Sequence, residues 1–144
     1  MSALEATQGG SSLVGLVIVS HSSKIAEGTV ELAAQMAGDE MRILAAGGLA
    51  DGTIGTDATR IMAAIQAADA GVGVVVMTDL GSAVLSASTA LEMLDPTLAA
   101  RVRLSRGPVV EGAIVAAIQA SIGDDLQAVC DTADAMLGQD KLAG

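Results

Sequence analysis

The fold of this chain follows from Leu16-Val17-Ile18-Val19-Ser20-His21-Ser22-Ser23, where an apolar run ends on the only histidine. The run predicts a buried strand, and a residue that ends a strand of an open α/β sheet lies where such folds bind ligands. Ser22 and Ser23 are favourable helix N-caps, so free backbone N–H groups are expected to point at whatever His21 carries. An imidazole there can hold a transferred phosphoryl group. A lone histidine is more often a plain surface residue, so the other motifs must decide.

Apolar runs alternate with helical patterns along the whole chain. The runs predict strands at 14–20, 41–46, 73–78 and 101–105, and 3.6-residue spacing predicts helices at 23–37, 57–70, 82–94, 110–122 and 124–138. Asp95-Pro96 is expected to close the third helix, and Gly123 to separate the last two. Continuous apolar strands between helices are typical of a parallel sheet covered on both faces. The predicted fold class is therefore a three-layer α/β/α domain.

The length of 144 residues fits one domain, predicted over 13–144 and preceded by a flexible tail at 1–12. The longest apolar run, Val72 to Met77, is far shorter than the roughly 20 residues of a membrane span. Residues 1–12 show no signal-peptide pattern. Cys130 has no second cysteine to pair with, which suits the cytosol. These features predict a cytoplasmic protein without a membrane partner.

The composition disfavours several classes of ligand. Seven Lys and Arg residues against 17 Asp and Glu residues give a formal charge of −10, which disfavours nucleic acid and anionic membranes and permits steering toward a basic protein. The chain has no Phe, Tyr or Trp, the residues on which sugar and base recognition usually depends. The composition fits a protein that handles a small anionic group and is recognised by other proteins.

Three loops rich in glycine or hydroxyl groups follow the first three predicted strands, and in a parallel sheet they emerge at one edge. They are His21-Ser22-Ser23, Ala46 to Asp57, and Thr78 to Ala83. The second loop lacks the Gly-Lys-Ser/Thr ending of a nucleotide-binding P-loop, so Walker-type ATP binding is rejected. The loop also follows the second strand and not the first, and no acidic residue is placed for a ribose, which disfavours dinucleotide binding. Backbone donors at Gly47 and Gly48 and the hydroxyl of Thr56 suit a small oxyanion. Thr53 fits that role and a plain surface loop equally well.

Asp79 is the predicted partner of His21, because it ends the strand next to the one that bears the histidine. A carboxylate that accepts a hydrogen bond from one imidazole nitrogen leaves the other nitrogen nucleophilic. Asp79 could instead cap the helix at 82–94, but Ser82 can take that role. Ser82, Ser86 and Thr89 share one polar helix face, which is interpreted as a solvated face or, more specifically, a subunit contact.

Other chemistries find less support in the residues. Ser20 and Ser22 flank His21, but a hydrolase would need a second histidine as base or a Gly-x-Ser-x-Gly turn, and the chain has neither. One histidine without clustered cysteines or carboxylates does not make a closed zinc site, so no metal is predicted.

Four motifs together resemble one family, the phosphotransferase subunits (DhaM) of phosphoenolpyruvate-dependent dihydroxyacetone kinases, whose domain is like the mannose-type EIIA of the sugar phosphotransferase system. In order they are Val19-Ser20-His21-Ser22, the segment Gly47-Gly48-x-x-Asp51-Gly52-x-Ile54-Gly55-Thr56, Asp79-Leu80-Gly81-Ser82-Ala83, and Pro108-Val109-Val110-Glu111-Gly112-Ala113. They span roughly residues 14–120, each at a loop.

The resemblance implies an open four-stranded parallel sheet of order 2-1-3-4, a homodimer, phosphorylation of His21 and orientation of that histidine by Asp79. It implies HPr as phosphoryl donor and, as acceptor, ADP on the nucleotide-binding kinase subunit, with no cofactor held by this chain. The groups expected to stabilise the phosphoryl oxygens are those of Ser22, Ser23, Gly47, Gly48, Thr56, Gly81 and Ser82. Some family members carry HPr-like and enzyme I-like domains after this one, so HPr is expected to act here from another chain.

Three alternatives remain open at the level of the sequence. The nearest is the EIIA domain of a mannose-family sugar transporter, which would pass the phosphoryl group to an EIIB domain. A metal chelatase of the sirohydrochlorin type also opens with a strand that ends on His-x-Ser, but it normally needs a second histidine. The third is a regulatory module of flavodoxin-like fold without enzymatic activity, which would carry no phosphohistidine.

Overall fold

The computed structural model describes residues 12–143, so the predicted tail lies outside the described residues except for Ser12. Four strands form one parallel sheet: β1 (Gly15–Ser20), β2 (Ile43–Gly47), β3 (Val74–Thr78) and β4 (Val102–Leu104). Their order is β2-β1-β3-β4, which confirms the order 2-1-3-4 and the α/β fold class. The helices are α1 (Ser23–Ala37), α2 (Ala58–Ala68), α3 (Gly81–Met93), α4 (Pro96–Ala99), α5 (Val109–Ser121) and α6 (Leu126–Ala135), followed by the 3₁₀ turn Met136–Gly138.

Both faces of the sheet are covered, as continuous apolar strands require. Val17 and Val19 of β1 pack toward α2 and α3. Leu16 and Ile18 face the opposite side, toward α1, α5 and α6. All six residues of β1 are buried, and each large side chain buried there contributes roughly 1.5–3 kcal/mol. The strand that ends on His21 is therefore central, and the position of its last residue is fixed by the core.

Small residues let the layers approach closely in a chain without aromatic side chains. The buried faces of α3 and α5 are largely alanine: Ala83, Ala87 and Ala90 on α3, and Ala113, Ala116, Ala117 and Ala120 on α5. At Gly15, the first residue of β1, a Cβ atom would lie 2.2 Å from the carbonyl oxygen of Ala68, the last residue of α2. Only glycine fits at that contact.

The helix at 23–37 has the predicted bounds, and several other elements differ. The third helix ends at Met93, and Pro96 does not merely terminate it, because the proline begins the short helix α4 at its first turn. The last helix was predicted at 124–138, but α6 spans Leu126–Ala135 and continues as a 3₁₀ turn. Among the residues that the structure describes, no helix combines the length and apolar character needed to cross a membrane.

Candidate functional site

The carboxyl edge of the sheet brings the three predicted loops together. Val19 of β1 lies in register with Thr78 of β3, and Ser20 with Gly47 of β2. His21 and Asp79 therefore follow adjacent strands at the same level. The side chain of His21 is half-buried, with 21% of its surface exposed.

Asp79 accepts four hydrogen bonds from groups around this edge. Its Oδ1 lies 3.1 Å from Nδ1 of His21 and accepts from the backbone N–H of Leu80 at 2.8 Å. Its Oδ2 accepts from the backbone N–H of His21 at 3.0 Å and from the hydroxyl of Ser20 at 2.9 Å. One carboxylate thus holds both the ring and the main chain of His21.

The electrostatic balance at Asp79 favours its ionised form. Burial alone would raise the pKa of this carboxyl group. The N–H group of His21, the hydroxyl of Ser20 and the imidazole together outweigh that effect and hold the pKa below its ordinary value of 3.8. Asp79 is therefore a carboxylate at neutral pH, which accepts and does not donate.

The tautomer of a neutral His21 follows from this arrangement. A carboxylate can only accept, so Nδ1 carries the proton and donates to Asp79, and Nε2 is left with its lone pair. The hydroxyl of Ser82 lies 2.7 Å from Nε2 and donates to it. Ser82 therefore does not take the capping role that the sequence allowed for it. The helix begins one residue earlier, at Gly81, with Leu80 as N-cap, and the Ser82 side chain faces the imidazole.

Ser20 belongs to the site, although the sequence analysis gave it no role there. It is completely buried, it donates to Asp79, and its Oγ accepts the backbone N–H of Ser22 at 3.0 Å. A polar side chain at the end of an apolar strand needs a buried hydrogen-bond partner, and that was the available signal. Ser20 links the carboxylate to the loop that carries the histidine.

The first loop differs in part from the expectation of free backbone donors. Ser22 is the N-cap of α1, as predicted, and its hydroxyl accepts the N–H of Ile25. The Ser22 N–H already donates to Ser20, so it is not available to a phosphoryl group in this arrangement. Ser23 begins α1 beside Gly48, where a Cβ would lie 3.4 Å from the Ser23 nitrogen.

The glycine-rich second loop packs tightly against the first. A Cβ at Gly47 would lie 2.7 Å from the carbonyl oxygen of Ser22. Gly48 has a φ of +68° and donates its N–H to the carbonyl of Ser20 at 3.1 Å. Gly55 donates to the carbonyl of His21 at 2.9 Å. These glycines lie at the site, and the Gly48 and Gly55 donors hold the main chain of β1 and His21.

The two loop threonines have different surroundings. Thr53 is exposed and its hydroxyl donates to Asp51 at 2.6 Å. Thr56 is half-buried, and its hydroxyl lies 2.6 Å from that of Ser86 on α3. The Ser82–Ser86–Thr89 face is therefore not simply solvated. Ser82 and Ser86 have protein partners at the site, and Thr89 donates to the carbonyl of Leu85.

The site lies at an exposed edge, because Leu80, Gly81 and Ser82, which follow Asp79, are all exposed. A cavity of about 320 Å³ between Leu44 of β2 and Arg60 of α2 lies elsewhere, and His21 is not among its lining residues. Within residues 12–143 no group of three or more His, Cys, Asp or Glu side chains could hold a metal ion. The geometry therefore presents Nε2 of His21 at the surface of the protein, while Asp79 fixes the tautomer of the ring through Nδ1.

Residues 15–130 match the family model EIIA-man, described as the fructose IIA component of the phosphotransferase system. A solved structure described as a protein of unknown function is 36% identical, with a TM-score of 0.80 over 90% of this chain and 98% of that one. The fold and the matched segment therefore define an EIIA-type domain.

Curated relatives make the assignment more specific. The chain is 48% identical over 124 residues to the phosphoryl donor subunit DhaM of the PEP-dependent dihydroxyacetone kinase of Pantoea ananatis, covering 84% of this chain and 26% of that protein. A DhaM subunit of dihydroxyacetone kinase 2 from Listeria innocua is 39% identical over 81% of this chain and 94% of its own length. The chain belongs to the EIIA-man family and, within it, to the DhaM subunits. It spans about a quarter of the length of the first of these relatives.

Proposed function

We propose that this chain is a phosphoryl-relay subunit: His21 accepts a phosphoryl group from phospho-HPr and passes it to ADP on the nucleotide-binding subunit of dihydroxyacetone kinase. The observation that carries the proposal is the pair of contacts to the imidazole. Nδ1 is held by the Asp79 carboxylate, and Nε2 meets only the hydroxyl of Ser82 among the hydrogen-bond partners found in residues 12–143. Family membership supports the same role.

The proposed chemistry is an in-line displacement at phosphorus. The Nε2 lone pair forms the new N–P bond as the N–P bond of phospho-HPr breaks, and its electron pair returns to the HPr imidazole. Asp79 stabilises the positive charge that the His21 ring gains. In the second step an ADP oxygen attacks the same phosphorus, the His21 N–P bond breaks, and ATP leaves.

Ser82 has to change partner during this cycle. Its hydroxyl donates to the lone pair that must attack phosphorus, so it has to rotate away, and it can then donate to a phosphoryl oxygen. The N-cap Leu80 offers no side-chain acceptor to α3. The N–H groups of Gly81 and Ser82 therefore stand at the positive end of the helix dipole beside the phosphoryl position. Of the predicted phosphoryl-stabilising groups, these have the strongest geometric support.

Protein partners fit the surface around His21. Three large apolar side chains near this edge are exposed. They are Ile25 (49%) in the first turn of α1, Ile54 (70%) in the second loop and Leu80 (60%) in the third. Each lies in a segment that adjoins His21 or Asp79, along the chain or through the Gly55 hydrogen bond, and exposed apolar side chains that form a patch are typical of a protein-docking surface. HPr as donor, the homodimer, the cytoplasmic location and the absence of a bound cofactor belong to the same proposal and rest on the family resemblance.

The test is phosphate incorporation from phosphoenolpyruvate, enzyme I and HPr. We expect one acid-labile phosphate per wild-type chain and none in His21→Gln, with circular dichroism showing that the variant is folded. Phosphate on the folded variant would refute the assignment of His21, and an unmodified wild type would refute the relay. ADP with the kinase subunit, compared with an EIIB domain as acceptor, then separates the kinase role from that of a sugar transporter.

A further inference from the structure

We propose that the hydroxyl pair Thr56–Ser86 is a positioning device: it fixes the N-terminal turn of α3 against His21 and so controls how Ser82 meets Nε2. The proposal rests on the relay function proposed above and deepens it. Thr56 then acts on the reaction through Ser86 and not by touching the phosphoryl group.

The contacts form a closed ring around the nucleophile. The carbonyl of His21 accepts the N–H of Gly55 at 2.9 Å, and the next residue, Thr56, pairs its hydroxyl with Ser86 at 2.6 Å. Ser86 lies four residues after Ser82 on α3, so the two side chains share one helix face. The Ser82 hydroxyl returns to Nε2 of His21 at 2.7 Å. The ring joins the main chain and the reactive nitrogen of one residue.

The second loop is anchored by hydrogen bonds at both ends, so the position of Thr56 is well defined. Asp57 caps α2 by accepting the N–H of Thr59 at 2.9 Å. Gly48 donates to Ser20, and Leu49 donates to the carbonyl of Thr53 at 2.9 Å. The Thr56–Ser86 contact is the link from this fixed loop to the serine-bearing face of α3.

The buried Ala83 and the hydrogen bond from the Leu80 N–H to Asp79 hold the main chain at the start of α3, but neither contact acts on the Ser82 side chain. Leu80 and Gly81 are exposed, and the α3 start has no side-chain cap. An uncapped first turn frays more readily than the rest of a helix. A contact one turn further on, at Ser86, limits that motion and keeps the Ser82 hydroxyl at the distance from which it can pass from Nε2 to a phosphoryl oxygen.

The test compares Thr56→Val with Thr53→Val. The two substitutions are identical and lie on the same loop, but within residues 12–143 the Thr53 hydroxyl bonds only to Asp51. We expect Thr56→Val to lower the rate constant of His21 phosphorylation at saturating phospho-HPr by roughly threefold to tenfold, the size expected for one neutral hydrogen bond. The half-saturating HPr concentration should stay unchanged, because the apolar docking residues are untouched. Thr53→Val should behave as wild type.

Three further measurements separate positioning from direct contact or from simple loss of stability. Ser86→Ala should lower the rate as much as Thr56→Val, and the double variant no further. Thr56→Ser should restore the wild-type rate. In the unphosphorylated protein, the ¹⁵N resonance of Nε2 should move in Thr56→Val and not in Thr53→Val, because the Ser82 hydrogen bond is weakened.

Several outcomes would overturn the inference. A loss in Thr56→Val without one in Ser86→Ala would mean that Thr56 touches the phosphoryl group directly. Equal rates and equal ¹⁵N shifts in both threonine variants would mean that the pair does not position Ser82. A wild type that takes no phosphate refutes the relay, and the ¹⁵N comparison still decides the positioning role.

Discussion

Replacement of Asp79 by asparagine tests the hydrogen-bond arrangement on which the site depends. The carboxylate accepts four hydrogen bonds on two oxygens, whereas the amide has one oxygen and one NH₂ group. We expect the amide oxygen to keep the buried Ser20 hydroxyl and the His21 N–H, since these cannot turn to water. The NH₂ group then faces the imidazole, which has to accept at Nδ1 and carry its proton on Nε2.

This change of tautomer removes the nucleophile without removing the histidine. The same effect in the Ser-His-Asp triad lowers the rate by about 10⁴-fold. The aqueous edge of this site lets the ring readjust more easily, so we expect phosphorylation of His21 to slow by roughly a hundredfold or more. Fold stability should fall by about 2 kcal/mol, because one hydrogen bond to a charged acceptor is lost, while the exposed N–H of Leu80 turns to water.

The pH dependence supplies a second readout. Burial disfavours the Asp79 carboxylate, but the hydrogen bonds from His21 and Ser20 outweigh it and lower the pKa below 3.8. A lowered folded-state pKa means stability that is present above the unfolded pKa and lost as the pH falls through the folded value. Urea unfolding of wild type and Asp79→Asn should therefore differ most at neutral pH, and the difference should shrink well below pH 3.8.

Asp57→Asn is the matched control for this substitution. Asp57 caps α2, and asparagine is an equally good N-cap. The rate of phosphorylation should therefore equal that of the wild type, and the free energy of unfolding should change by no more than a few tenths of a kcal/mol. Phosphorylation of Asp79→Asn at the wild-type rate would contradict the argument, and so would a stability difference that is constant with pH.

Two further expectations concern stability and thiol reactivity. Gly15→Ala should lower the free energy of unfolding by roughly 1–3 kcal/mol, because its Cβ would lie 2.2 Å from the Ala68 carbonyl oxygen. A Cβ at Gly28, on the exposed side of α1, would meet nothing within 4 Å, so Gly28→Ala should raise the free energy of unfolding by about 0.5–1 kcal/mol. Equal effects of the two substitutions in urea unfolding would contradict both expectations. Burial and the nearby Asp134 raise the pKa of Cys130 to about 11, so a disulfide reagent at neutral pH should label it only after unfolding, and rapid labelling of the folded chain would contradict this.

The main features of the site follow from rules about strand ends. An apolar run that ends on His21, and a neighbouring one followed by Asp79, place both residues at the carboxyl edge of a parallel sheet. The structure shows the two side chains 3.1 Å apart. The strand order came from the resemblance to a family, because the runs alone do not say which strand is central.

The resemblance places Ser82 among the phosphoryl-stabilising residues, but its contact with Nε2 could not be predicted, because that contact depends on where α3 begins. Helix ends are uncertain by one or two residues in sequence analysis, and each residue of an α-helix turns by about 100°. With the start at 82, Ser82 lies near the cap. With the start at Gly81 and Leu80 as N-cap, its side chain swings onto the face that meets the imidazole. A shift of one residue thus decides whether the Ser82 hydroxyl caps α3 or contacts Nε2.

The exposed position of the site also explains why many groups hold His21 in place, whereas few groups surround the position of the phosphoryl group. In the proposed relay, the Nε2 nitrogen has to meet two different protein partners in turn, so a closed pocket that fits one partner would exclude the other. Asp79, Ser20 and Gly55 all hold His21 from the protein side, and none of them needs to move between the two transfers. The hydroxyl of Ser82 is the group that has to change its contact. The exposed apolar residues around the edge are then the candidates for selectivity between partners. The chemistry depends on the Nε2 lone pair, which stays free because the ring proton is held on Nδ1 by Asp79.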